Sequence, residues 1–221
     1  FYFILLQSTK HRTQHKLPLI IQWDDYRNFQ DIWNSRLHKY RMVDKPSRKV
    51  FCIGLNKTGT TSLSKFMELQ GFSCGDQAAG ELLLHKYAAR DYRGFLDHCK
   101  SAEFFQDIPF SIPGGHQLLM KEVPEAKFIL TLRNSAEDWY NSLVAFHEKV
   151  FGVPLDKIRL INAEYRYPRF AWEANRLLYS SPTNDPYKRE NLIADYEAHR
   201  AQVIRDFTGR ENLLVLKIED P

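Results

Sequence analysis

The sequence predicts an α/β domain in three layers, with helices on both faces of a mostly parallel central sheet, and three observations carry that reading. Apolar runs of strand length recur at Lys49–Leu55, Lys127–Leu132 and Leu213–Leu216. Segments with helical spacing of apolar residues lie between them, an alternation that builds parallel strands joined by crossover helices. The chain, at 221 residues and 43% hydrophobic, is long enough to bury one sizeable core. Sheets of this kind bind ligands beyond the carboxyl ends of their strands.

In chain order, Phe1-Tyr2-Phe3-Ile4-Leu5-Leu6 is too short to span a bilayer. It reads as a buried apolar segment ahead of the alternative, the tail of a signal-anchor helix. The chain starts at Phe1 and stops at Pro221 directly after a strand-like run, so both ends are expected to be truncations of one domain covering residues 1–221, with 1–45 as an N-terminal extension of no assigned role. Within it, Phe29, Ile32, Trp33, Leu37 and Tyr40 predict an amphipathic helix after Asp24-Asp25. The turn-rich Asp44-Lys45-Pro46-Ser47 then leads into Lys49–Leu55, continuously apolar as a central strand covered on both faces must be. Leu63, Phe66 and Met67 mark a helix that Gly71 stops. The second run, Lys127–Leu132, ends at Arg133-Asn134, and Ser135 with Asp138 forms a capping box for a helix whose face is Trp139, Leu143, Phe146 and Val150. Asp185-Pro186 supplies a cap and a first-turn proline for a helix carrying Leu192, Tyr196, Val203 and Phe207, ended by Gly209.

Charge and cysteine usage narrow the function classes. A net charge of +4, from 31 basic and 27 acidic residues without long basic blocks, speaks against a nucleic-acid partner and suits an anionic small molecule. Cys52, Cys74 and Cys99 form no CxxC pair, which gives neither a disulfide scaffold nor a zinc site. Cys74 with Cys99 is the plausible bridge; buried thiols in a reducing compartment are the other reading. His11 and His15 have ligand-like spacing but no third ligand in view, so no metal is expected.

The loop Gly54-Leu55-Asn56-Lys57-Thr58-Gly59-Thr60-Thr61 joins a buried strand to a helix, where free backbone N–H groups and the helix dipole make an anion cradle. The ATP-binding form of this device, G-x-x-x-x-G-K-[ST], puts lysine just after the second glycine. Here the glycine spacing is kept, but Lys57 stands two residues before Gly59. The plainer alternative is an ordinary strand-to-helix turn.

Lys57-Thr58-Gly59-Thr60-Thr61 resembles instead the 5′-phosphosulfate loop of the sulfotransferase family that uses 3′-phosphoadenosine 5′-phosphosulfate (PAPS). The resemblance implies a P-loop NTPase-like sulfotransferase fold and PAPS as co-substrate. It gives Lys57 the charge on the bridging oxygen, and Thr58, Gly59, Thr60 and Thr61 the 5′-phosphate. Phe128 to Ser142 resembles the family's second signature, an arginine ending a strand and a serine about two helical turns on, both gripping the 3′-phosphate. Arg133 and Ser142 take these places at a separation of 142 − 133 = 9, and Asn141 is the alternative ligand. In Phe104-Phe105-Gln106-Asp107-Ile108-Pro109, Asp107 stands where cytosolic members have a catalytic histidine. A buried carboxylate can serve as the base; a turn or cap carboxylate is the other reading. His116 is a reserve candidate, set against a solvated loop histidine. Tyr165, Tyr167, Trp172 and Tyr179 would line an acceptor pocket or simply pack. Tyr196-Glu197-x-His199 and Leu213–Leu216 resemble the family's C-terminal helix and strand, and the later loop that completes the 3′-phosphate site is not visible before Pro221.

The expectation is therefore transfer of a sulfuryl group from PAPS to a hydroxyl or amine of a small-molecule or carbohydrate acceptor, without a metal. The sulfuryl group carries less charge than a phosphoryl group, so protein groups alone can stabilise the departing phosphate. A P-loop kinase using ATP and magnesium shares the cradle, and a nucleotide-binding scaffold shares the fold without turnover. For the compartment, cytoplasm stands ahead of the Golgi lumen, which a lost N-terminal anchor would imply.

Overall fold

A computed structural model describes residues 19–22, 48–155, 158–163 and 165–217. Among the described residues five strands pair in parallel: β1 (Leu19–Gln22), β2 (Val50–Cys52), β3 (Phe104–Phe105), β4 (Lys127–Leu132) and β5 (Leu213–Lys217), in the order β1-β5-β4-β2-β3. Alternation along each strand decides what each face packs against. Phe51, Phe105, Phe128, Leu130 and Val215 point into the larger core, whereas Cys52, Phe104, Ile129 and Leu216 point into a smaller one on the other face. Helix α1 (Thr60–Leu69) covers the smaller core with Leu63, Phe66 and Met67.

After α2 (Gln77–Glu81), helices α3 (Leu84–Ala88), α4 (Arg93–His98), α5 (Gly115–Glu122), α6 (Ala136–Phe151), α7 (Phe170–Leu178) and α8 (Arg189–Asp206) supply Leu84, Phe95, Leu119, Trp139, Phe170 and Leu192 to the larger core. The sheet is thus the middle layer of three, and each fully buried Leu or Phe contributes about 1.5–3 kcal/mol. Among the described residues, no helix is long and apolar enough to cross a membrane.

Several expectations need correction. The ladder of β2 stops at Cys52, although Ile53 and Leu55 remain buried. Asp185-Pro186 does not open the long helix: Lys188 donates back to Asp185 in a turn, and α8 begins at Arg189. On α6 only Trp139 and Leu143 are buried, while Phe146 and Val150 are 36% and 40% exposed, because the helix runs past the edge of the core. Of the two readings of the thiols, the structure bears out unbridged cysteines: Cys52, Cys74 and Cys99 are all free. Cys74 packs on the smaller core and Cys99 lies in the larger one, so the sheet separates them. Strand β1 was not anticipated, since Leu19–Gln22 is too short to show a period. The helix expected at 24–40, Phe1–Leu6, His11 and His15 lie outside the described residues.

This topology brings three loops to one edge. The carboxyl ends of neighbouring β3, β2 and β4 deliver Asp107, Asn56–Thr61 and Arg133 side by side. The approach is close: a Cβ on Gly54 would lie 2.1 Å from Thr131 Oγ1 and 2.6 Å from the Thr131 carbonyl oxygen.

Candidate active site

Lys57 and Gly59 both hold left-handed backbone, with φ of 67° and 85°. Glycine adopts this freely; lysine does so only where its surroundings enforce it, a form of strain that gathers at ligand sites. Thr58, between them, turns inward. Its hydroxyl donates to the Leu55 carbonyl at 2.6 Å and shares a 2.6 Å hydrogen bond with Thr131 Oγ1, while its amide donates to the same carbonyl at 3.3 Å. The bend is therefore fixed from below by Thr58, whose side chain does not face the cradle. The first intrahelical bond of α1 runs from Leu63 N to Gly59 O, which leaves the N–H groups of its first turn for an anion, and that turn carries no acidic residue. Thr60 is buried, and its hydroxyl donates to Asp107 Oδ2 at 3.4 Å; Thr61 is exposed.

Three large side chains hold the loop from behind. Trp139 Nε1 donates to the Asn56 carbonyl at 2.9 Å, and Tyr179 Oη donates to Asn56 Oδ1 at 2.7 Å. His199 Nε2 meets the Ile53 carbonyl at 2.8 Å; burial, with a smaller effect of His116, lowers its pKa to about 4, so the ring is neutral and can donate. In the sequence these residues looked like core, apart from Tyr179, a candidate for the acceptor pocket; their polar tips become legible only when distant segments meet.

Arg133 joins the loop after β2 to α6. Its Nε donates to the Lys57 carbonyl at 2.7 Å and its Nη2 to Ser142 Oγ at 3.1 Å, while its backbone N–H donates to Tyr196 Oη at 3.0 Å. Ser142, rather than the exposed Asn141, is the residue that turns towards Arg133. One turn farther along α6, the Lys57 ammonium lies 3.9 Å from the centre of the Phe146 ring. Next to it His147 shares a 2.8 Å hydrogen bond with Tyr187 Oη, and burial with the nearby Lys57 charge holds its pKa at about 4.

Asp107 ends the strand beside the loop, with a left-handed φ of 61° and a following cis peptide at Ile108-Pro109. The Ile108 amide donates to Asp107 Oδ1 at 2.9 Å. Burial, reinforced by the Glu81 carboxylate, pushes the Asp107 carboxyl up to about 6, against the opposing pull of the Ile108 amide, Thr60 and Lys57. A carboxylate so placed can accept a proton near neutral pH, while its bond from the Ile108 amide is of the kind a turn carboxylate makes.

The reserve candidate His116 is not at this site. It is buried at the start of α5 with Nε2 2.8 Å from Asp206 Oδ2 and its ring packed beside Phe207 and His199, so it is not a solvated loop histidine. Of the aromatic candidates, Tyr179 is buried behind the loop, Tyr167 donates to Glu173 at 2.7 Å, and Arg169 lies 5.0 Å over Trp172. Tyr165, 45% exposed, remains open to solvent. Among the described residues, no group of three or more His, Cys, Asp or Glu could hold a metal ion.

No curated protein matches the chain. The family model described as a sulfotransferase domain matches residues 49–221, which takes in the loop, Asp107, Arg133 and Ser142, and the chain belongs to that family.

Proposed function

We propose that the protein moves a sulfuryl group from PAPS to a hydroxyl or amine of a small-molecule or carbohydrate acceptor, with Asp107 as the base. The observation that carries this reading is the span of Arg133, which touches the Lys57 carbonyl on one side and Ser142 on the other. A site for a simple triphosphate chain needs one cradle. Two anion-binding points on adjacent strand ends suit a nucleotide with two separate anionic groups, as PAPS has. The donor groups fit it: the first turn of α1 and Lys57 for the 5′ group, Arg133 and Ser142 for the 3′-phosphate.

PAPS, when bound, supplies the activated S–O bond; the residues position and neutralise. The α1 N-terminus and Lys57 meet charge growing on the bridging oxygen as that bond breaks. The cation–π contact that Lys57 makes with Phe146 is worth about 0.5–1 kcal/mol at an exposed position, a hold weak enough to exchange for a phosphate oxygen. Asp107 takes the acceptor's proton as the new bond to sulfur forms, leaving adenosine 3′,5′-bisphosphate. By analogy with phosphoryl transfer the transition state is loose and in line, so positioning dominates.

The test is transfer of label from 35S-PAPS to a panel of phenols, amines and sugars. Label in at least one acceptor, with release of the bisphosphate, is expected. A protein that binds neither PAPS nor the bisphosphate and labels nothing would contradict the reading.

A further inference from the structure

Glu81 is 3% exposed, and acids are seldom buried without a partner. Its partners form a chain. Gln106 Nε2 donates to Gln77 Oε1 at 2.7 Å, Gln77 Nε2 donates to Glu81 Oε1 at 2.9 Å, and Arg166 Nε pairs with Glu81 Oε2. Gln106 immediately precedes Asp107, and α2 lies close to the same segment, since a Cβ on Gly80 would be 3.5 Å from Pro109 Cδ. At the other end, the Arg166 guanidinium lies 4.7 Å from the centre of the Tyr165 ring. Burying the Glu81 carboxylate costs several kcal/mol even with Arg166, whose side chain is 33% exposed, as its partner, and an apolar residue of similar size avoids that cost. Packing alone therefore does not account for a carboxylate here.

We propose that Glu81 is a positioning residue for the acceptor side of the site: it ties the strand end bearing Asp107 to the loop bearing Tyr165 and Arg166, and supplies negative charge that Asp107 faces there. Asp107 is also faced by Lys57 from the phosphate loop, Thr60 from α1, Cys52 from β2, Tyr165 from the loop before α7 and Tyr179 after it. Burial holds the Cys52 thiol and both tyrosine hydroxyls neutral near pH 7. The balance on Asp107, beyond burial itself, is then Lys57 against Glu81, and the Arg166 charge is engaged by Glu81. Removing Glu81 makes Asp107 a weaker proton acceptor.

This rests on Asp107 being the base, yet it can be tested without turnover. In the intact chain carrying 13C-labelled aspartate carboxyls, the Asp107 resonance is the one lost in Asp107→Asn. Its midpoint is expected at about 6 in the unaltered protein. In Glu81→Gln it should fall by about half a pH unit or more, and in Glu81→Asp, which keeps the charge, it should stay. Should Glu81→Gln fail to fold, the double variant Glu81→Met/Arg166→Met removes both charges in favour of apolar side chains and must still lower the midpoint, by less than Glu81→Gln because the Arg166 charge leaves with it. A raised midpoint that neither variant lowers overturns the role of Glu81 alone. A midpoint in the ordinary aspartate range in the unaltered protein overturns Asp107 as the base.

Discussion

The side of the site proposed for the donor is made of main-chain groups and short local bonds, the side proposed for the acceptor of side chains gathered from three distant segments. On the donor side, Thr58, Gly59 and the first turn of α1 are consecutive, and Arg133 reaches them from the adjacent strand. On the proposed acceptor side, Asp107, Glu81 and Arg166 come from the loop after β3, from α2 and from the loop before α7, and the buried Glu81 carboxylate pairs with the part-exposed Arg166. A cradle of amides cannot be much retuned by substitution, whereas a carboxylate facing another carboxylate can.

Substitutions should separate the two sides. Asp107→Asn is expected to lower turnover by about 10²–10⁴-fold, the range for loss of a positioned base, while the affinity for adenosine 3′,5′-bisphosphate in calorimetry stays within about twofold. In the unaltered enzyme kcat/KM should rise with pH through a limb near 6, because only ionised Asp107 accepts the proton. Lys57→Ala should cost about a hundredfold or more in turnover, as loss of one preorganised charge contact does. Unchanged turnover would remove Lys57 from the chemistry.

Arg133→Ala should raise the KM for PAPS about tenfold or more, and Ser142→Ala only a few-fold, since the first loses a charge-assisted contact and the second a neutral one. Equal effects would mean that the two do not grip one phosphate. The smallest effect is on stability. Asp107 titrates at about 6 when folded and at 3.8 as a model group, so between these values the folded chain binds more protons than the unfolded one, and stability falls as pH rises through that window. Asp107→Asn should therefore raise Tm by about 5–10 °C at pH 7 relative to its effect at pH 3.5, read by thermal melts. A Tm difference that does not change with pH would show that Asp107 is not desolvated.

The same contrast explains how much the sequence alone disclosed. The donor loop is a local pattern, so glycine spacing, the displaced Lys57 and the strand and helix around it were readable in one pass. Arg133 and Ser142 were readable because both lie within one strand–helix unit, and the hydrogen bond between them selects Ser142 over Asn141. Asp107 could be placed but not assigned, since its basicity comes from burial and from Glu81, which lies 26 positions earlier (107 − 81) in a helix of five residues. Trp139 and Tyr196 carried the correct apolar period and His199 only a resemblance, and neither shows that a polar tip will reach the Asn56, Arg133 or Ile53 backbone. The edge strand β1 pairs with β5 across nearly the whole chain, a partnership that four residues cannot announce.

The central claim is that two anion subsites on neighbouring strand ends hold a nucleotide with separate 3′ and 5′ charges. The most direct measurement compares thermal melts with adenosine 3′,5′-bisphosphate and with ADP plus magnesium, each at equal concentration. At about a hundred times its dissociation constant the bisphosphate should raise Tm by roughly 5–10 °C, and Arg133→Ala should remove most of that gain. Protection by ADP plus magnesium that equals or exceeds it would contradict the account.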